Sequence, residues 1–272
     1  PYPQIFNDVN NQKAEVILYR PTGESGDFEK ANFPIGVEGG KTSTCPTQNL
    51  MEAYDMKDGT PFVWNNQSNP YDNRDPRMKY TIVCNEMKWP VDPVEIWEGG
   101  TNGLPLQNAT TTGYYLKKYV NNTISFEAGS TVTKKQHNWV LFRYGEILLN
   151  YAEAMINAFH DPNYKDAVYN MSAREAVNQI RGRTNISLPG FPSDITEKDF
   201  VKRLKNERRV ELAFEGHRFW DVRRWKELGQ TANIYGVKIT KNNEVISYEK
   251  FLLETRAVTD NMYFYPIPNT ER

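Results

Sequence analysis

The stretch Leu204 to Trp225, LKNERRVELAFEGHRFWDVRRW, constrains this chain more than any other. On a helical wheel Arg208, Glu211, Glu215, Arg218 and Asp221 follow one another at steps of three or four, which stacks them on one face. The apolar residues do not gather opposite. Val210, Leu212, Ala213, Phe214, Phe219, Trp220 and Trp225 between them cover most of the circumference. A helix apolar on nearly all sides belongs in an interior, and charges carried there must be paired and hydrogen-bonded. The pattern predicts a buried helix latched by its own charges, with a bend at Gly216. A surface helix with a solvated salt-bridge face is the competing reading. Both make the stretch structural, so function has to be sought elsewhere.

The charge balance excludes one large class of partner. Net charge is −1 and the isoelectric point about 6.4, with no block of basic residues, so the electrostatic footprint of a nucleic-acid binder is missing. The longest uninterrupted apolar runs are four residues, as at Trp139–Phe142, too short to cross a bilayer. The opening PYPQIFNDVNNQ has neither the basic start nor the apolar core of a signal peptide. At 272 residues the chain has room for one large domain or two closely packed ones. Cys45 and Cys84 allow one disulfide, but two ordinary thiols fit better. Aromatic content is 13%, with 16 tyrosines and six tryptophans. Flat rings outside helices suit sugar- or peptide-binding surfaces, although aromatic core filling gives the same totals.

The first half reads as loop-rich. Glu15–Arg20 predicts a strand. Residues 21–46, with five glycines and three prolines, predict a long surface loop, the kind that tends to carry function. Thr47 predicts an N-cap for a short helix, Gln48–Met56. Lys79–Cys84 and Tyr114–Val120 read as strands between the turn-rich segments 61–78 and 85–113. From Trp139 the texture changes. Trp139–Ala158 puts Tyr144, Leu148, Tyr151 and Met155 on one stripe and predicts a long helix. Ser172 to Glu175 has capping-box spacing and starts a helix that stops before Pro189. These two predict a helix hairpin of the tetratricopeptide type, although no repeat of about 34 residues is detectable. Thr196–Asp199 starts another helix that runs into the opening stretch. In the tail a short strand is expected at Glu244–Ile246, and the prolines make Tyr263–Pro268 extended.

Catalytic signatures are missing from the sequence. His137, His160 and His217 lie in no metal-binding spacing, and there is no P-loop, G-x-S-x-G or G-x-G-x-x-G. His217, flanked by Phe214, Phe219 and Trp220, reads as a satisfied core histidine rather than a general base. The prominent carboxylates stand beside arginines that keep them ionised, the opposite of a raised-pKa glycosidase acid.

The stretch ERRVELAFEGHRFWDVRRW (207–225) closely resembles the hallmark of the SusD/RagB family of outer-membrane nutrient-binding lipoproteins. It is accompanied in order by AEVILYR (14–20), PTQNLMEAYDMKDG (46–59), NRDPRM (73–78), TGYYLKKY (112–119), FRYGEILLNYAEA (142–154), NQIRGRTN (178–185) and YPIP (265–268). The match covers what is usually the C-terminal half of such a protein. The lipidated cysteine and most tetratricopeptide-like helices are expected in the other half. The resemblance implies a mainly α fold: a tetratricopeptide-like α/α scaffold with an irregular loop-rich region and a few short β-strands. It divides the chain into a loop-rich ligand side (1–138), a helical scaffold (139–228) and an irregular tail (229–272). It also implies a non-enzymatic protein of Bacteroidetes-type bacteria, lipid-anchored and facing outwards, without cofactor or metal. Such a protein passes oligosaccharides, or peptides in the RagB-like branch, to a SusC-like TonB-dependent transporter. A tetratricopeptide-like interaction module without small ligand is the alternative from another class. No ligand residue carries a motif that transfers. Position in the chain points to Phe28, Phe33 and Lys41, then to Trp64, Asn66 and Tyr71, then to Trp89 and Trp97; packing against the scaffold is the bland reading for each tryptophan.

Overall fold

The computed structural model describes residues 2, 4–7, 15–65, 69–265 and 267–271. The helices are α1 (Gln4–Asn7), α2 (Asp27–Asn32), α3 (Gln48–Met51), α4 (Pro76–Thr81), α5 (Tyr144–Phe159), α6 (Ala173–Arg181), α7 (Glu197–Glu211) and α8 (Arg218–Arg224). The strands are β1 (Val16–Ser25), β2 (Ile82–Val83), β3 (Tyr115–Leu116), β4 (Lys135–Arg143), β5 (Asn233–Asn242) and β6 (Val245–Thr255). They pair as three antiparallel two-stranded sheets, β1 with β4, β2 with β3 and β5 with β6.

Caps fix the helices where the sequence places them. Ser172 Oγ accepts from the Glu175 amide at 3.1 Å while the Glu175 carboxylate accepts from the Ser172 amide at 2.8 Å. This reciprocal pair starts α6 and stabilises it by about 1 kcal/mol. Thr196 Oγ1 caps α7 by accepting from the Asp199 amide at 3.2 Å, and Thr47 caps α3. Helices α5, α6 and α7 share one core, in which Leu149, Ala152 and Ile156 meet Val177, Ile180, Phe200 and Leu204. A second core joins Met51, Tyr54, Met78 and Tyr114 of the loop-rich half to Val210 and to Val237, Ile239 and Tyr248 of the β5–β6 hairpin.

Several expectations are corrected. The helix expected over Trp139–Ala158 is divided: its first residues belong to β4, and α5 begins at Tyr144. Tertiary pairing with β1 overrides the helical stripe there, setting Tyr19 opposite Val140 and Arg20 opposite Trp139. The loop expected over 21–46 holds the end of β1 and all of α2. Of Lys79–Cys84 only Ile82–Val83 are strand; Lys79–Thr81 close α4, because Asp75 accepts from the Arg77 amide at 2.9 Å and Pro76 occupies the first turn. Helix α3 stops at Met51, short of Met56. The tail is not irregular but carries a hairpin of 10- and 11-residue strands, so only β2 and β3 are the short strands expected.

The hallmark stretch is two helices, not one bent helix. Helix α7 stops at Glu211, the chain turns with Phe214 and Gly216 at φ +62° and +85°, and α8 begins at Arg218. This break lets the charges reach in different directions. Glu207, Glu211 and Asp221 are buried. Arg77, fully buried, bonds Asp75 at 2.7 Å, Glu207 at 2.5 Å and Glu211 at 2.9 Å. Arg143 reaches Glu211 at 2.8 Å and Glu215 at 2.6 Å, while Arg181 meets Glu207 and Arg183 meets Glu211, each at 2.7 Å. Arg208 grips Asp221 with 2.9 Å contacts. Burial alone would raise the Glu211 carboxyl; Arg143, Arg183 and Arg77 outweigh it and hold it well below the carboxylate range. The latch is internal; apart from the Arg208–Asp221 pair, the ladder's partners come from α4, β4 and the 183 turn, while α6 supplies the partner of Glu207. Arg218 is not part of it.

Candidate functional site

Most residues proposed from chain position are engaged in packing. Phe33, Tyr71 and Trp89 are buried. Phe33 meets Phe126 edge-on at 6.1 Å, and Tyr71 meets Tyr248 at 5.3 Å. Phe28 is half-buried against Trp139 at 5.1 Å, Trp97 lies under the Lys241 ammonium at 4.4 Å, and Lys41 is exposed. Trp89 lines a cavity of about 270 Å³ with Tyr80, Lys117 and Asn122, and the Lys117 ammonium sits 4.8 Å over its ring. Asn66 lies outside the described residues. Trp64 is half-buried against Phe62, ring centroids 6.4 Å apart. Phe62 itself lines a larger opening.

That opening is a cleft of about 460 Å³ between α7 and the segment from Glu52 to Phe62. Three side chains on the outer face of α7 hold this segment and the α3 helix before it by their carbonyls. Asn206 Nδ2 donates to Ala53 O at 2.8 Å, Arg203 to Gly59 O at 3.0 Å and Arg209 to Asn49 O at 2.8 Å. Residues three apart on a helix share a face, so one helix presents the inner acids Glu207 and Glu211 and the outer trio Arg203, Asn206 and Arg209. A neighbouring cavity of about 390 Å³, walled by Leu50, Phe214, Phe219 and Ile234, shares Arg209, Arg218 and Gln230 with the cleft. Neither opening contains a residue proposed from the sequence as a ligand contact, although Phe62 touches one of them, Trp64. Spacing alone could not have found them, since their walls come from segments about 150 residues apart.

Burial sets the electrostatics of the cleft. It raises the Asp55 carboxyl to about 6, against the pull of Arg181 at 3.7 Å and Arg203 at 3.8 Å. It lowers Arg209 to about 10, helped by the neighbouring Arg218 charge, and lowers Arg203 and Arg218 as well. Such a site strengthens hydrogen bonds with whatever enters it. The remaining acids have their own cations: Glu52 pairs with Lys250 at 2.8 Å and Glu227 with Lys205 at 2.6 Å. His217 lines neither opening; it is half-buried, 3.5 Å from Arg208 and 3.7 Å from Glu146, and burial lowers its pKa. Among the described residues no three of His, Cys, Asp and Glu converge to hold a metal, and no helix is long and apolar enough to cross a membrane. Cys45 and Cys84 are free thiols.

Comparison with known proteins gives this architecture a family. Residues 5–272 match the SusD family profile. The fold is similar to a SusD-like protein of Bacteroides fragilis NCTC 9343, with a TM-score of 0.79 and 26% identity over 99% of this chain and 54% of that one. It is also similar to a second protein of that strain, described as a SusD-like carbohydrate binding protein, with a TM-score of 0.80 and 24% identity over 100% of this chain and 56% of that one. SusD-like protein P38 of Formosa agariphila is 37% identical over 91 residues, which is 31% of this chain and 16% of P38. The chain thus spans about half the length of the solved structures it matches. The eight sequence segments, the helical core and the profile match agree: this chain belongs to the SusD family.

Proposed function

We propose that this chain is part of a non-catalytic, cell-surface glycan-binding protein that hands oligosaccharides to a SusC-like TonB-dependent transporter at the outer membrane, through a lipid anchor carried outside this stretch. The observation that carries the binding role is the pair of adjoining openings over α7. They combine aromatic walls, Phe62, Phe214 and Phe219, with amide and guanidinium donors, Asn206, Gln230 and Arg209. Rings that stack on sugar faces beside donors for hydroxyls are the elements an oligosaccharide site needs. The carbohydrate-binding description of one similar B. fragilis protein supports the same reading. An oligosaccharide panel followed by calorimetry tests it. Phe62→Ala should weaken glycan binding roughly tenfold, the scale of one lost stacking contact. Tight peptide binding with no glycan bound would move the protein to the RagB-like alternative.

The α5–α6 pair with α7 serves in this reading as the tetratricopeptide-like scaffold. One surface observation favours a further protein contact. Ile17 and Leu18 of β1, Leu141 and Phe142 of β4 and Ile147 of α5 are exposed large apolar side chains, and Leu18 stands opposite Phe142 across the paired strands. The part of the family fold that the matched structures have beyond this chain is the occupant of this surface. In a protein of the relatives' length, Leu141→Cys should resist maleimide; rapid labelling would remove this assignment.

A further inference from the structure

The two openings over α7 hold more positive charge than their own acids use. Six basic side chains line the larger cleft against three carboxylates, and each of those carboxylates already faces another cation. Two guanidiniums are left over at the junction of the openings. Arg209 donates only to the Asn49 carbonyl at 2.8 Å, and Arg218 only to the Gln230 amide oxygen at 2.9 Å. Among the described residues neither has a carboxylate within ion-pair distance. This is unlike the inner face of α7, where Arg77, Arg143 and Arg181 each hold one or more acids. Two half-buried arginines side by side repel one another, and the acids that draw them, Glu52 for Arg209 and Asp221 and Glu227 for Arg218, act from beyond ion-pair distance. Both border the 460 Å³ and the 390 Å³ openings, so a group lodged between the two cavities meets both forks.

We infer that Arg209 and Arg218 form an oxyanion subsite that receives a carboxylate or sulfate substituent of an acidic oligosaccharide. The guanidinium fork matches either group by paired N–H donors, as an ammonium cannot. Phe62 and Phe219 on the two sides supply surface for the neighbouring sugar rings, and the exposed Lys198 and Lys202 at the mouth add attraction for a polyanion. This inference rests on the glycan-binding reading of the same openings, and it narrows that reading to acidic chains.

The test uses two matched pairs, so that the anion is separated from the sugar. One pair is an oligogalacturonate hexamer and its methyl ester; the other is a sulfated galactan oligosaccharide and its desulfated form. Binding is followed by calorimetry and by the guanidinium Nε–H signals of Arg209 and Arg218 in nitrogen-15 spectra, titrated in parallel with glucuronate and sodium sulfate. The expected result is saturable movement of both signals with glucuronate or sulfate. At least one acidic oligomer should bind about tenfold or more tighter than its neutral partner, and Arg209→Gln with Arg218→Gln should abolish that preference. Which pair shows the preference identifies carboxylate or sulfate as the natural group. Equal binding of the acidic and neutral forms overturns the oxyanion subsite while leaving the glycan reading intact. Movement with sulfate alone, with no oligosaccharide preference, means an adventitious ion only and also overturns it. Stronger, arginine-dependent binding of hexaglutamate than of any saccharide overturns the glycan reading and with it the inference.

Discussion

The two faces of α7 use the same residue types to opposite ends. On the inner face Glu207 and Glu211 are buried, and every oxygen-to-cation contact there is 2.5–2.9 Å. On the outer face, one turn away, Arg209 stands half-buried with a single neutral acceptor. Paired interior charge is costly to install and costlier to break, so it fixes geometry. Unpaired charge at an opening keeps its capacity for a ligand. The comparison therefore separates a structural use of arginine from a binding use within one helix.

Acid should break the inner face as a whole, the largest effect expected. The Glu207, Glu211 and Glu215 carboxyls are all held below their ordinary value by neighbouring cations that outweigh burial. Their contribution is fully present above the unfolded value of about 4.3 and is lost as pH falls below it. Urea midpoints should therefore collapse below about pH 4, and a midpoint unchanged to pH 3 would contradict the paired lattice. A single cut is next. Glu211→Gln takes one carboxylate at once from Arg77, Arg143 and Arg183 and should cost about 3–5 kcal/mol. Asp55→Asn probes the outer face with the reverse sign. The folded pKa of Asp55, about 6, lies above its unfolded value, so its ionisation weakens the fold as pH rises through that range. The variant should gain on the order of 1 kcal/mol at pH 7.5, after allowance for solvent access, and lose the gain by pH 4. The solvated pair Lys165–Glu175 is the baseline: Lys165→Ala should change stability by about 0.5 kcal/mol or less in a melt.

Local grammar made the helical half of this fold legible. Ser172 with Glu175, and Thr196, are caps whose partners lie within three residues, so spacing suffices to find them. Asp75-Pro76 was an equally local signal for α4, masked by the β-branched run that follows it. Strand β4 and the β5–β6 hairpin depend on pairing across the chain, which a helical stripe or a polar alternation does not reveal. The site was less legible for a related reason. Aromatic residues in loops look alike before folding, and Phe33, Tyr71 and Trp89 turned out to fill the core. Arg218 fell on the predicted charge ladder only because the ladder assumed a continuous helix. With the turn at Phe214 and Gly216 it lines both openings, and among the described residues no ladder acid lies within ion-pair distance of it.

That assignment is open to one direct measurement. Glu215, its side chain 2% exposed, bonds Arg143 and Lys118 at 2.6 and 2.7 Å, whereas among the described residues Arg218 hydrogen-bonds only Gln230. Urea unfolding at pH 7 should show Glu215→Ala losing about 3–5 kcal/mol and Arg218→Ala about 1 kcal/mol or less. Equal losses from the two substitutions would contradict the division between buried, paired charge and the charge that faces the openings.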